Sequence, residues 1–325
     1  MLPGPWYMAI SVPLLFPPAI ARAQAPSRAA VSARLDSIAE AGVKDGRVVG
    51  LSVAGVQGDD TLLLNGYGHA DVELDVPTPP DAMCEIGSVT KQFTAAAILQ
   101  LRDAGKIDLD ADISRDLPDF LAQGRRISVR QLLNHTSGIK GITEIPEFAD
   151  LSRRALPRDS ALALIARQGF EFEPGEVQVY NNSAYILLGL IIEVQSGMSY
   201  EDYEEQRIFA PLGMTRSRYC SNTEVVHNRA RGYAFVGDEV RRASYADHPW
   251  PYAAGSLCST AIDMVTWLQA LHGGKVPGSR SYCEMTAPNQ FAAEIVAPVP
   301  LACSRSRKTR PPCLARTPAR REGAR

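Results

Sequence analysis

Residues 84–101, Cys84-Glu85-Ile86-Gly87-Ser88-Val89-Thr90-Lys91-Gln92-Phe93-Thr94-Ala95-Ala96-Ala97-Ile98-Leu99-Gln100-Leu101, read as one helix with a nucleophile at its start. Beyond Gly87 the run carries Phe93, Ala96, Ala97, Leu99 and Leu101 and is too apolar to lie on a surface, so it is expected inside a core. Ser88 and Lys91 are three apart and share one helix face, close enough for an amine to take a hydroxyl proton. That is a Ser-Lys nucleophile pair. The S-x-x-K pattern arises by accident about once in a chain of this length, so its context must carry the reading. Here the pair opens a buried helix, whose dipole favours a developing alkoxide and disfavours an ammonium. An ordinary lysine is neutral only ~0.04% of the time at pH 7, so burial has to lower its pKa before it can act as a base. The competing reading is a helix-capping Ser followed by a solvated Lys.

Two further stretches bear on the choice. Gln178-Val179-Tyr180-Asn181-Asn182-Ser183 precedes the apolar run 184–193, which is expected to be a helix capped by Ser183, and Leu132-Leu133-Asn134-His135-Thr136-Ser137-Gly138-Ile139 lies between this stretch and the first. In this order, the three stretches resemble the serine β-lactamase and penicillin-binding-protein family, in particular its class C-like and D-alanyl-D-alanine carboxypeptidase-like branch. The likeness covers roughly residues 30 to 295. It implies an α/β fold of the β-lactamase/transpeptidase kind, with an antiparallel sheet flanked by helices and a mostly helical lobe. It also implies roles: Ser88 attacks a carbonyl, Lys91 accepts its proton, Tyr180 shares that duty and passes the proton to the leaving group, and Asn182 orients the pair and holds the substrate amide. A Tyr beside a Lys titrates as a coupled pair, so the protonation microstates stay open. The alternative for Tyr180 and Asn182 is a polar loop capping the next helix.

The family's third motif, Lys-Thr-Gly or His-x-Gly on an edge strand, supplies one of two oxyanion donors, the other being the N–H of Ser88. It is not visible here. His272-Gly273-Gly274 falls at a helix end, where Gly273 reads as a stop, and Lys308-Thr309-Arg310 lacks the glycine. From Ala302 to Arg325 there are seven Arg, one Lys and one acid, without hydrophobic periodicity. The expectation is a hydrolase domain over 24–301 that lacks its C-terminal strands, through a shifted frame or truncation near Leu301, followed by a disordered Arg-rich tail at 302–325.

A formal charge of −2 over 325 residues makes no electrostatic case for nucleic acid. Met1 to Ile20 is apolar and ends in Ala21-Arg22-Ala23, so residues 1–23 read as a signal peptide and the protein as periplasmic or secreted; no basic residue precedes the apolar part, and Pro13, Pro17 and Pro18 interrupt it. No later segment is apolar enough to span a membrane. Export permits disulfides, for which Cys220 and Cys258 are candidates, with two buried thiols as the alternative. Asp108, Asp110 and Asp112 imitate half a calcium loop, but Ile113 takes the place of the turn glycine, and the stretch reads as a surface turn. His135 has no partner at metal-ligand spacing and reads as a structural hydrogen-bonder. No metal or cofactor is expected, and the chain reads as a monomer.

Elsewhere, Val31, Leu35, Ile38 and Ala39 form one face of a first helix that Gly42 ends. Residues 48–56 with 61–68, and 232–236 with 240–245, read as hairpins. Residues 200–209 and 261–271 read as helices. No G-x-S-x-G elbow occurs, which argues against an α/β-hydrolase. The functional reading is an exported serine hydrolase that forms an acyl-enzyme with a β-lactam, a D-amino-acid peptide or an ester. Its alternative is an inactive relative that keeps the fold and binds peptidoglycan or a protein partner.

Overall fold

The computed structural model describes residues 26–287, apart from 59, 121, 155–157 and 246. The leader expected at 1–23, the Arg-rich segment 302–325 and the chain in which the third motif was sought beyond Ala287 lie outside the described residues.

Helix α1 (Arg28–Lys44) starts at Ser27, whose Oγ accepts the Ala30 N–H at 3.2 Å. Its inward stripe differs from the expected one: Ala39 is buried, but Ile38 is 55% exposed. The helix is rolled about its axis because Ser32 donates to the Leu62 carbonyl at 2.7 Å and Asp36 accepts from the Tyr67 hydroxyl. Gly42 does not end it, and the left-handed turn comes at Gly46. Strands β1 (Gly50–Gln57) and β2 (Asp60–Asp71) form the first expected hairpin, and β3 (Val76–Pro77) adds to the far side of β2.

Strand β4 (Cys84–Glu85) begins a second sheet and overturns the expectation of one helix over 84–101. Gly87 adopts φ +50°, which breaks a right-handed helix, and the Ile86 N–H bonds to the Leu257 carbonyl at 3.0 Å instead of to its own segment. A 3₁₀ turn at Gly87–Val89 then leads into α2 (Thr90–Asp103). Helix α2 is buried as expected: Phe93, Ala96, Ala97 and Ile98 are fully enclosed. Each large side chain so buried contributes about 1.5–3 kcal/mol. Phe93 stacks on Trp267 with ring centroids 4.0 Å apart.

After α2 come α3 (Val129–Leu133), α4 (Phe148–Leu151), α5 (Arg158–Gln168), α6 (Asn182–Ser196) and α7 (Tyr200–Glu204). The helix expected at 200–209 is regular only through Glu204, then widens into a π-helical turn at Glu205–Phe209 before α8 (Ala210–Leu212). Strand β5 (Arg218–Tyr219), the hairpin of β6 (Tyr233–Val236) and β7 (Glu239–Arg242), β8 (Leu257–Ser259), α9 (Ala261–His272) and α10 (Ser279–Met285) complete the described chain. The second sheet has the order β4-β8-β5, with Glu85 and Arg218 both opposite Cys258. Cys220 and Cys258 are joined as a disulfide, with Cα atoms 5.2 Å apart. Helices α2 and α6, with Trp267 of α9, share one continuous core. The result is an α/β architecture of small antiparallel sheets and packed helices, as expected.

Residues 105–112 place Ile107 and Leu109 in that core, while Asp110 pairs with Arg130 at 2.6 Å. His272 ends α9 with its Nδ1 2.8 Å from the Tyr282 hydroxyl, at the contact between α9 and α10.

Candidate active site

Ser88 sits exposed on the 3₁₀ turn, and Lys91 is buried in the first turn of α2. The Lys91 Nζ lies 3.3 Å from Ser88 Oγ, 2.8 Å from Asn182 Oδ1 and 2.7 Å from the Ala254 carbonyl oxygen. All three acceptors are neutral. Burial without a carboxylate partner pushes the amine down to about 8. At pH 7 about one lysine in ten is then neutral, on the order of 300-fold more than for an unperturbed side chain. The Tyr180 hydroxyl approaches Ser88 Oγ from the other side at 2.6 Å, with its ring half exposed and 4.7 Å from Nζ. All four expected site residues, Ser88, Lys91, Tyr180 and Asn182, therefore meet at one point.

Local structure accounts for this convergence. Asn181, not the expected Ser183, caps α6: its Oδ1 accepts the Ala184 N–H at 2.9 Å because Asn181 has the extended backbone that a cap requires. Ser183 lies inside the first turn, where its hydroxyl accepts the Ile142 N–H at 2.8 Å and donates to the Lys140 carbonyl at 3.0 Å. Its bonds tie the 139–143 loop to α6. That loop brings Thr143 within 3.2 Å of the Asn182 amide nitrogen, leaving Oδ1 turned to Lys91.

His135 holds the Tyr180 loop by two bonds. Its carbonyl accepts the Val179 N–H at 2.9 Å and its Nδ1 accepts the Asn181 N–H at 3.1 Å. Burial, with the Lys91 charge second, pushes the imidazole down to about 4, so it stays neutral and keeps Nδ1 free to accept. On the opposite flank β8 brackets the nucleophile, since Leu257 accepts from Ile86 and donates to Thr90 Oγ1 at 3.2 Å.

Sequence reasoning missed the Ala254 carbonyl. It projects from a 3₁₀ turn at Tyr252–Ala254, and a backbone acceptor carries no side-chain signature in the sequence. Gly189 of α6 lets the turn approach, because a Cβ there would stand 2.5 Å from both Ala253 Cβ and Tyr252 Cε1. Beside Lys91 opens a cavity of about 470 Å³, lined in part by Ala95, Leu99, Leu133, Gln178 and Tyr185. Among the described residues, no group of three or more His, Cys, Asp or Glu side chains is placed to hold a metal ion. No described helix is long and apolar enough to cross a membrane.

This constellation offers an activated hydroxyl flanked by an amine and a phenol, a layout suited to covalent acyl transfer. Comparison with known proteins places the fold. The family model named Beta-lactamase matches residues 35–303. Protein flp of Staphylococcus aureus is 30% identical over 241 residues, 73% of this chain and 48% of the relative. The chain spans about half the length of the curated relatives it matches. Among solved structures, D-amino acid amidase from Ochrobactrum anthropi aligns with a TM-score of 0.70 at 31% identity, over 78% of this chain and 73% of that one. The octameric penicillin-binding protein homologue from Pyrococcus abyssi aligns with a TM-score of 0.68 at 28% identity, over 77% and 58%. The chain belongs to the Beta-lactamase family, within the serine β-lactamase and penicillin-binding-protein superfamily.

Proposed function

We propose that this chain is an exported serine hydrolase that forms an acyl-enzyme at Ser88 with a β-lactam, a D-amino-acid peptide or amide, or an ester. The observation that carries the reading is the buried Lys91 amine, which has only neutral acceptors and stands beside a serine that Tyr180 also touches. In the acylation step Ser88 Oγ bonds to the substrate carbonyl carbon and its proton passes to neutral Lys91 Nζ, with Tyr180 sharing the transfer. The carbonyl becomes an oxyanion, which the Ser88 N–H, in the opening turn, stabilises. Collapse breaks the carbonyl–nitrogen or carbonyl–oxygen bond, and the leaving group takes the proton from the Lys91–Tyr180 pair. Water then attacks the ester, loses a proton to the same pair and restores Ser88. Asn182 bonds the substrate amide while fixing Lys91.

Amide substrates are favoured by the likeness to D-amino acid amidase. The four groups come from one protomer, so a monomer suffices for the chemistry. The second reading, an inactive relative that binds peptidoglycan or a protein partner, draws on the lack of a Lys-Thr-Gly or His-x-Gly motif on any described strand. One experiment separates the two. The full chain is incubated with a fluorescent penicillin, a D-phenylalanine amide and a fluorophosphonate, and adducts are mapped by mass spectrometry. An adduct on Ser88 that disappears in Ser88→Ala supports the hydrolase; a folded protein that none of the probes acylates at Ser88 supports the binding protein.

A further inference from the structure

The Ala254 carbonyl determines which way the Lys91 amine faces. A neutral amine has two N–H donors and one lone pair. Its two short contacts go to Ala254 O at 2.7 Å and Asn182 Oδ1 at 2.8 Å, which leaves the lone pair for the longer 3.3 Å direction, toward Ser88 Oγ. Whatever fixes the 252–254 turn therefore aims the base.

The turn is held from α2 itself. Thr94, one helical turn beyond Lys91, donates its hydroxyl proton to the Ala253 carbonyl at 2.7 Å. That proton is then committed. The Tyr200 hydroxyl, 2.8 Å from the same Oγ1, must be the donor in their shared bond. Thr94 and Tyr200 are both fully buried, so neither bond competes with water. The Tyr200 ring also packs edge-on against Tyr252, the turn's first residue, whose φ of +41° is uncommon for a bulky side chain. One rigid helix thus carries both the base and the hydroxyl that places the carbonyl orienting it.

We infer that Thr94, with Tyr200 as its proton donor, is a positioning pair that sets the Ala254 carbonyl and through it the aim of the Lys91 amine toward Ser88. Neither residue touches the reacting atoms. The inference rests on the acyl-transfer reading above, and its test includes one arm that does not.

Thr94→Val keeps shape and removes the donor, Thr94→Ser restores it, and Tyr200→Phe removes the second proton. With a penicillin probe, acylation of Ser88 in Thr94→Val is expected to slow by about tenfold or more at saturation, with the half-saturating concentration nearly unchanged. Thr94→Ser recovers most of the rate, and Tyr200→Phe falls between. The independent arm is ¹³Cε NMR of lysine, tractable with six lysines in the chain and assigned with Lys91→Arg. Losing the carbonyl acceptor disfavours the ammonium, so the Lys91 titration in Thr94→Val moves to lower pH. An unmoved titration, or Ser88 acylation at the wild-type rate in a folded Thr94→Val protein, overturns the inference. A slow Thr94→Ser as impaired as Thr94→Val overturns it too. If wild type takes no Ser88 adduct while the titration still moves, the catalytic reading fails and the positioning geometry stands.

Discussion

Glu204 provides a test of the core that does not depend on function. It ends α7 where the helix widens into the π-helical turn, is 0% exposed, and neither of its carboxyl oxygens has a hydrogen-bond partner. Burial pushes its carboxyl up to about 8. Between pH 4.5 and 8 the folded protein therefore holds a proton that the unfolded chain has released. The native state binds more protons, so stability falls as pH rises through this window, by about 1.4 kcal/mol per pH unit for one fully shifted site. From pH 5 to 7.5 the loss is about 3 kcal/mol. Glu204→Gln keeps the size of the side chain and abolishes the titration. Urea unfolding of both proteins at pH 5 and pH 7.5 isolates the effect, because other shifted groups, His135 and Lys91 among them, cancel in the comparison. The advantage of Gln over Glu is expected to grow by about 3 kcal/mol between the two pH values, or roughly 6–12 °C in Tm. Parallel curves for the two proteins would show that the folded state ionises Glu204 without penalty, and the account of an unpartnered buried acid would be wrong.

Three other perturbations follow from the same structure. The acylation rate of Ser88 is expected to climb as pH rises through about 8, where Lys91 loses its proton, and a rate flat from pH 6 to 9 would remove Lys91 as the base. Gly189→Ala forces a methyl against Ala253 and Tyr252 and should cost about 1–3 kcal/mol while slowing acylation; a variant with unchanged Tm and rate would contradict the close packing of the turn. Reducing the Cys220–Cys258 bridge, which spans 38 residues, is expected to lower stability by up to about 4 kcal/mol through loop entropy. Equal Tm with and without a dithiol reductant would mean that the bridge does not constrain the unfolded chain.

Much of the architecture is written in local periodicity. The run after Gly87 is apolar in every direction, and α2 is indeed enclosed; the alternation and turn signals at 48–68 and 232–245 correspond to real hairpins. The site was legible through side-chain identity: the spacing of Ser88 and Lys91 needs only helical geometry, and Tyr180 and Asn182 belong to a motif in recognisable order. What escaped depends on partners distant in sequence. Cys84 and Glu85 form a strand only because β8, more than 170 residues later, offers them carbonyls and amides. Ile38 faces outward because Ser32 and Asp36 are anchored to β2.

Residue types and their spacing alone thus determined that a serine stands one turn ahead of a lysine at the start of a buried helix, and that a tyrosine and an asparagine lie at the start of another. Tertiary structure alone decided that Asn181 rather than Ser183 caps α6, that Cys220 reaches Cys258, and that a main-chain carbonyl at Ala254 orients the amine. The physical reason is common to all three. Caps, bridges and backbone acceptors are set by where the chain passes in space, and a carbonyl oxygen is the same whichever residue carries it.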